Sequence, residues 1–406
     1  MAWLGRKKLA FIPLSRTNIQ PPDIIPTDWP DEIMRRVFFD PLTEPITSLP
    51  TTSHLATGPV VGPITAPVPG TDRSLRTYFH TVSSGLADLD VVVLPPQTIP
   101  NDPVNGIAPD ALEATQGAQL RAKGFDGAAI VMLGGPGGGS TAQLANFAWS
   151  RFCMSDDLGN WAGEILHQTN LCDLPDLFDF AGDYPSGDNM GPYEQEAGYH
   201  ATHPSAWTKR AVGWLDPSTV ALPPARVFEF TLHAVSLIQP PPTGRVAAVQ
   251  IGGQVPYLMV EARLRADQFD INIPGEGVIV YRVQTSDPLG NAQNKTAPLA
   301  LLTKIALTVG QSFTTDGVTV QVLSSVPGGF SIQVVSPNPQ GIVPNVRELS
   351  ESAASQAVTH AGFIPKFSTA LGSTGRLWVF SQSPTAGSIV ALGSTVNMVL
   401  HGGAIP

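Results

Sequence analysis

The sequence predicts an α+β protein in which an α/β core is followed by an antiparallel β-sandwich and a small α+β module. Gly and Pro number 39 each among 406 residues, so turns are frequent and long helices must be few. Before about residue 217, helical periodicity alternates with short apolar runs that are typical of buried strands. From about residue 220, short strands of alternating polarity recur between turn residues, which favours a sandwich.

The composition is typical of a folded protein of extracellular style. Charged residues make up 14% of the chain, below the roughly 25% usual for soluble domains. Hydrophobic residues make up 42%, which is too many for a disordered chain. The net charge of -10 argues against nucleic acid as a partner. No apolar run reaches the roughly 18 residues of a membrane span, so no transmembrane segment is predicted.

The N-terminus and the cysteines leave two questions open. A basic patch at 6–8 precedes a short apolar run that contains Pro13 and lacks a small-residue cleavage site, so no signal peptide is predicted. Cys153 and Cys172 are the only cysteines, and the sequence allows either one disulfide or two free thiols. We expect an extracellular or cell-surface protein whose export route is not visible in the sequence.

Residue patterns divide the chain into four segments. Residues 1–70 are Pro-rich and are expected to form a mostly irregular N-terminal arm. Residues 71–217 carry the α/β core, and residues 218–335 carry the sandwich. A stiff linker at 336–341 leads to a separate small unit at 342–401.

Several stretches resemble, in the same order, segments of metallopeptidases of the immune-inhibitor-A type. The resemblance covers roughly residues 70–335 and rests on S-L-R-T-Y-F-H-T-V-S-S-G at 74–85, F-D-G at 125–127, L-P-D-L-F-D at 174–179, H-P-S-A-W-T-K-R-A-V-G-W at 203–214, P-Y-L-M-V-E-A-R at 256–263 and I-P-G-E-G-V-I-V-Y-R-V at 273–283. It implies a zincin-like α/β core over 71–217. In an intact relative it would also imply zinc-dependent cleavage of peptides.

The zinc motif of that family is absent. Such a site needs H-E-x-x-H on a helix, with two imidazole ligands on one face and a glutamate as general base. Alignment on L-P-D-L-F-D puts Leu166 at the first histidine, His167 at the glutamate and Asn170 at the second histidine. Asp176 stands at the family's acid. Leucine cannot ligate zinc and a neutral amide is a poor ligand, so the resemblance implies a degenerate, catalytically inactive domain.

Other side chains near this motif are candidate metal ligands. Glu164 and His167 lie three positions apart on one helix face, but a structural helix with a surface histidine is favoured over a substitute zinc site. Asp176, Asp179 and Asp183 offer hard oxygen ligands suited to calcium, although a solvated acidic loop is the favoured interpretation. We therefore expect no cofactor and no zinc, and we keep calcium as a candidate.

Arg282 is another departure from the family pattern, which usually has histidine there. Its guanidinium is expected to pair with a nearby carboxylate such as Glu261 or Asp270. No serine or cysteine has the surroundings of a catalytic nucleophile, so the sequence offers no replacement for the missing zinc chemistry.

The C-terminal unit resembles a PASTA domain. It opens with V-P-N-V at 343–346, and Ser350 is expected to cap the helix that follows. It ends with V-F-S-Q-S-P-T-A-G at 379–387 and L-G-S-T-V-N-M-V at 392–399. The resemblance implies binding to peptidoglycan or another cell-surface polymer. A spacer that only packs and presents the rest of the chain is the alternative, and the sequence favours neither.

These patterns predict an inactive metallopeptidase-like protein that acts as a binding or structural component, with a cell-wall polymer or a protein as partner. One alternative is an active secreted metallopeptidase with non-standard zinc ligands. A second is a subunit or cargo of a larger extracellular or injection assembly, which would make the chain part of an oligomer. The missing signal peptide and the Pro-rich arm motivate that second alternative.

Overall fold

The protein is mixed α/β, with many strands and few helices. The structure, a computed structural model, describes residues 3–16, 33, 37, 60–61, 73–99, 107–132, 139–153, 156–174, 177, 190–197, 200–284, 298–337, 339–370, 372–373 and 375–402. The candidate calcium ligands Asp176, Asp179 and Asp183 lie outside these residues.

A mixed β-sheet forms the N-terminal unit. Its strands are β1 (Gly5–Arg16), β2 (Val60–Val61), β3 (Ala87–Val93), β4 (Gln97–Ile99), β5 (Gly127–Met132), β6 (Ser140–Gln143) and β7 (Ala148–Cys153). They lie in the order β2-β3-β1-β5-β7-β6, and β4 pairs with the end of β1. β3, β1, β5 and β7 run parallel, whereas β2 and β6 are antiparallel edge strands.

Helices cover both faces of this sheet. They are α1 (Leu75–Val82), α2 (Ile107–Leu112), α3 (Ala118–Ala122) and α4 (Leu158–Leu166), with a π-helical stretch (Glu113–Gly117) between α2 and α3. Side chains of α1 and α4 pack in the core on one face, and side chains of α2 and α3 pack in the core on the other. Successive β1 residues alternate between the two cores, with Phe11 in the first and Ile12 in the second.

The prediction of an irregular arm over 1–70 is wrong for its first part, because β1 is a central strand of the sheet. Pro13 is tolerated there for a geometric reason. The Phe11 carbonyl accepts from the Leu94 N–H at 2.8 Å, so residues 11 and 13 direct their backbone groups to that side. On that side the pairing with β3 ends at Phe11 and the pairing with β4 begins at Leu14. Proline therefore falls in a gap between two ladders, where its missing N–H interrupts neither.

The two cysteines lie in different cores. Cys153 packs on the face covered by α2 and α3, and Cys172 packs on the face covered by α1 and α4. Both cysteines are buried and no disulfide joins them, because the sheet lies between them.

Two packed sheets follow, and they fit the predicted β-sandwich. One has the order β13-β12-β11-β10-β8, and the other has the order β14-β15-β16-β9. The strands are β8 (Val220–Ala221), β9 (Val227–His233), β10 (Ala248–Ile251), β11 (Tyr257–Arg263), β12 (Gly277–Val283), β13 (Leu299–Leu301), β14 (Ser312–Thr315), β15 (Val318–Val326) and β16 (Gly329–Val335). Val260 and Val280 of the first sheet pack in one core with Val320 and Ile332 of the second.

The five-stranded sheet is covered on its other face as well. Met259 and Ile279 pack there with Trp207 of α5 (Ala206–Ala211) and with Leu215. Because both faces are buried, β11 and β12 carry almost unbroken apolar runs instead of alternating ones. This layer joins the N-terminal unit to the sandwich.

The C-terminal unit packs one helix, α6 (Glu351–His360), on small sheets. β17 (Gln340–Ile342) pairs with β20 (Ile389–Ala391), and β21 (Thr395–Gly402) lies between β18 (Ile364–Thr369) and β19 (Leu377–Ser383). The predicted cap is confirmed, since the Ser350 side chain accepts from the Ala353 N–H at 3.3 Å. Gly362 follows the helix with a φ of 84°, a conformation that favours glycine.

Candidate functional site

α4 is the helix on which the metallopeptidase resemblance would place a zinc site. Asp157 caps it by accepting from the Asn160 N–H at 3.0 Å, and the helix ends at Leu166. Asn170 therefore lies in the turn beyond the helix and not one turn further along its face. The Leu166 side chain is fully buried in the apolar core and contains no atom that could ligate a metal ion. These residues do not fit a zinc ion held in the manner of H-E-x-x-H.

The polar residues of this motif region make structural contacts. Nδ1 of His167 lies 2.5 Å from the Leu174 carbonyl oxygen. The Asn170 amide donates to the Asp126 carbonyl at 3.1 Å, immediately before β5. Both side chains thus satisfy backbone groups and tie the turn after α4 to the sheet.

Glu164 is buried beneath edge strand β6. Its carboxylate accepts from the Thr141 hydroxyl at 2.8 Å, and a side chain on Gly139 would collide with it. Within the part of the chain that the structure describes, no three His, Cys, Asp or Glu side chains form a group that could hold a metal ion. The described surroundings of Glu164 and His167 are those of packing residues.

The most concentrated set of buried charges lies between α5 and the five-stranded sheet, around Arg263. Its guanidinium is fully buried and donates to both Asp270 carboxylate oxygens at 2.9 and 3.0 Å. It also donates to the carbonyls of Tyr193 (2.7 Å) and His203 (3.0 Å) and to the Glu261 carboxylate (3.3 Å). Burial opposes its charge, but Asp270 and Glu261 outweigh that cost and raise the pKa of Arg263 above its ordinary value.

Two buried glutamates bind the N-terminal end of α5. Glu261 accepts from the Ala206 N–H at 2.8 Å and from the Tyr281 hydroxyl at 2.9 Å. Glu194 accepts from the Ser205 N–H at 2.9 Å. Burial raises the pKa of both glutamates, because it penalises the charged form more than these hydrogen bonds favour it. The first N–H groups of a helix are otherwise without partners, so the two carboxylates fix where α5 begins.

A second chain of contacts joins the same layer. The Lys209 ammonium is fully buried, 2.9 Å from His203 Nδ1, and it donates to the Val235 carbonyl at 2.6 Å. An ammonium has only donors, so Nδ1 accepts and Nε2 carries the proton directed at Asp267, 2.7 Å away. Burial lowers the pKa of Lys209 to about 8. Burial alone would raise the pKa of Asp267, but His203 outweighs it and lowers that pKa to about 2.

These groups form what we call the Arg263 network, defined by Glu194, His203, Lys209, Glu261, Arg263, Asp267 and Asp270. All except Asp267 have almost no exposed surface, so a substrate has no route to them. The network therefore locks the N-terminal unit onto the sandwich. The sequence motifs H-P-S-A-W-T-K and V-E-A-R contain four of its members (His203, Lys209, Glu261 and Arg263), but the sequence did not bring them together. The available signal was a glutamate and an arginine inside an otherwise apolar strand.

The expected partner of Arg282 is wrong. Glu261 and Asp270 are both engaged by Arg263, and the Arg282 guanidinium donates instead to Asp316 at 2.6 Å. β-strand geometry explains the difference, because Arg282 adjoins Tyr281 in β12 and so points to the opposite face of the sheet.

The C-terminal unit presents an aromatic patch on β19 and β21, formed by Trp378, Phe380 and His401. Their ring centroids lie 5.8 to 6.0 Å apart. The pairing of the two strands is irregular between Val379 and Ser381, which leaves Phe380 outside the regular register with 52% of its surface exposed. An exposed ring with two neighbouring rings is a surface suited to binding an apolar ligand face.

The comparisons with known proteins identify this unit. Residues 341–401 match the PASTA domain family model, so the chain carries a C-terminal PASTA domain, as the sequence motifs predict. No curated protein matches the chain. PASTA domains occur in extracellular or cell-surface proteins. Within the described residues, none of the helices combines the length and apolarity needed to cross a membrane.

The buried pair of Arg263 and Asp270 predicts a large stability effect. Asp270→Asn should lower the free energy of unfolding by about 3–5 kcal/mol, because it leaves a buried guanidinium without its main partner. Asp316→Asn is the matched control, since it breaks an exposed ion pair and should cost less than about 1 kcal/mol. Urea unfolding of both variants measures the difference. Equal, small losses would contradict the structural role of the network.

Lys209 predicts a pH dependence of stability. Its pKa is about 8 in the folded protein, against about 10.4 for an exposed lysine. Between these values the unfolded chain binds more protons, so this group makes the free energy of unfolding rise with pH. Wild type should gain up to about 3 kcal/mol relative to Lys209→Met between about pH 8 and pH 10. Urea unfolding across that range tests this, and parallel pH profiles of the two proteins would refute it.

Proposed function

We propose that the chain is a catalytically inactive metallopeptidase-like protein that acts by binding, with the PASTA domain holding it to a cell-wall polymer. The observation that carries the inactivity is the position of Leu166. It is sealed in the apolar core at the last residue of α4, where the family alignment needs the first zinc ligand. A metal could reach that position only by opening the core.

The PASTA domain supports the binding part of the proposal. The family match suggests binding of cell-wall peptidoglycan or β-lactam-like ligands. It also supports an extracellular or cell-surface location and a wall polymer as partner. The exposed Phe380 patch is a surface on this domain to which a ligand has access.

The metallopeptidase-like part of the proposal draws support from how the resembling runs are arranged. The F-D-G run leads into β5, a fully buried strand between β1 and β7. The H-P-S-A-W-T-K and V-E-A-R runs meet in the Arg263 network, although about 50 residues separate them in the sequence. A buried network that joins these runs is what a scaffold would need in order to stay folded without its chemistry.

Metal content tests the loss of catalysis. Purified full-length protein is expected to contain far less than one zinc per chain and to leave peptide substrates uncut when zinc is supplied. Elemental analysis and a peptide-cleavage assay measure this, with His360→Ala as a matched histidine control on an exposed helix position. Stoichiometric zinc, together with cleavage that His167→Ala abolishes and His360→Ala does not, would replace this proposal with an active peptidase.

Co-sedimentation with peptidoglycan sacculi tests the role of the PASTA domain. Full-length protein is expected to bind, and Phe380→Ala should weaken binding about fivefold or more because ring contact area is lost. Ile364→Ala is the matched control, since Ile364 is 54% exposed on the same sheet but lies on its other edge strand. Wild-type protein that stays in the supernatant would refute wall binding. If the two variants bind sacculi equally well, the aromatic patch takes no part in wall binding.

A further inference from the structure

A cleft lies where the sandwich meets the linker to the PASTA domain. It has a volume of about 520 Å³, within the ~300–1,000 Å³ of small-molecule sites. Its walls come from the β10–β11 hairpin, from β12, from the β14–β15 hairpin and from Ser336, Pro337 and Gln340. Nothing in the Arg263 network or the aromatic patch takes part in it.

The charged groups that line the cleft are the Arg282 guanidinium and the Asp316 carboxylate, 2.6 Å apart. Asp316 and Gly317 form the two-residue turn between β14 and β15, with φ values of 51° and 76°. Positive φ at both positions is characteristic of a type I′ hairpin. The carboxylate lies beside the guanidinium, and 61% of its side chain is exposed to a ligand.

Apolar surface lies beside this pair. Pro256 and Pro337 line the cleft as exposed rings. A ligand in the cleft would thus meet flat apolar surface and a donor–acceptor pair at the same time.

The charged pair and the apolar surface together favour one class of ligand. A guanidinium is a donor only and an ionised carboxylate is an acceptor only, so together they complement two neighbouring hydroxyl groups, one accepting and one donating. The pair has no net charge, so it favours neither an anion nor a cation. Sugar rings carry hydroxyl groups on their edges and C–H groups on their faces, which suits the exposed rings of Pro256 and Pro337.

We propose that this cleft binds a short glycan segment and acts as a second contact for the polymer that the PASTA domain holds. The inference rests on the proposed wall binding and adds a site outside the PASTA domain. Two linked contacts on one polymer strengthen binding, because the second contact becomes intramolecular.

The docking of the PASTA domain builds one wall of the cleft. Gln340 lines the cleft, and its side-chain oxygen accepts from the Gly252 N–H at 2.8 Å. Gly253 does not line the cleft, but a Cβ there would collide with the Ile389 carbonyl of the PASTA domain. The glycine allows the domain to approach this closely, so Gly253→Ala should displace the wall that carries Gln340.

Binding of β-1,4-linked N-acetylglucosamine trimer to the full-length protein tests the proposal, by titration calorimetry and saturation-transfer NMR. Asp316→Asn keeps a residue that tolerates the turn and should weaken trimer binding about tenfold, because a hydrogen bond to a charged acceptor is lost. Glu229→Gln, an exposed carboxylate on β9 outside the cleft, should leave binding unchanged. Gly253→Ala should weaken trimer binding without touching a lining residue.

The outcomes separate this inference from the proposed function. Sacculi that bind while the trimer does not, or trimer binding that Asp316→Asn leaves intact, would overturn the cleft and leave wall binding standing. Binding of a peptide that ends in D-Ala-D-Ala, in place of the trimer, would also overturn the glycan assignment. Trimer binding without sacculus binding would overturn the proposed wall contact, and with it the role of the cleft as a second contact on the wall, while leaving the cleft as a glycan site.

Discussion

The buried guanidinium of Arg263 is the interaction on which the arrangement of the whole protein depends. An isolated charge in an apolar layer is very costly, so the surrounding chain must supply acceptors at fixed positions. Those acceptors come from the loop around Tyr193 and His203, from Glu261 in its own strand and from Asp270 beyond it. One side chain thereby determines how the N-terminal unit, α5 and the sandwich sit together. A purely apolar layer would pack as well but would tolerate sliding.

For the proposed inactive metallopeptidase-like scaffold, this use of charge accounts for its persistence without chemistry. The motif runs around α5 and β11 contain buried charges that are paired with one another. Removing one of these charges would leave its partner unpaired and destabilise the layer. In the run at α4, the residues at the ligand positions do not belong to the Arg263 network. Leu166 adds apolar burial there, and His167 and Asn170 satisfy backbone carbonyls. Ligand positions can thus change to packing residues at a gain in stability, while the remainder of the motif set stays.

In the proposed function, binding is shared between two surfaces. The aromatic patch around Phe380 belongs to the PASTA domain, whereas the cleft at Arg282 and Asp316 belongs mainly to the sandwich. The close approach at Gly253 fixes the position of the PASTA domain relative to the sandwich. A Pro-rich linker alone would set only the distance between them. A fixed relation between two weak contacts favours a stiff polymer as ligand, because both contacts can form without further loss of chain freedom.

Local patterns in the sequence predicted the sandwich, the PASTA domain and the cap at Ser350, because each depends on residues close together in the chain. They did not predict that residues 5–16 form a central strand, since pairing with β3 and β5 involves residues about 80 and 120 positions away. Nor did they find the Arg263 network or the partner of Arg282. Which charges are buried together depends on which sheet faces meet, and only tertiary packing decides that.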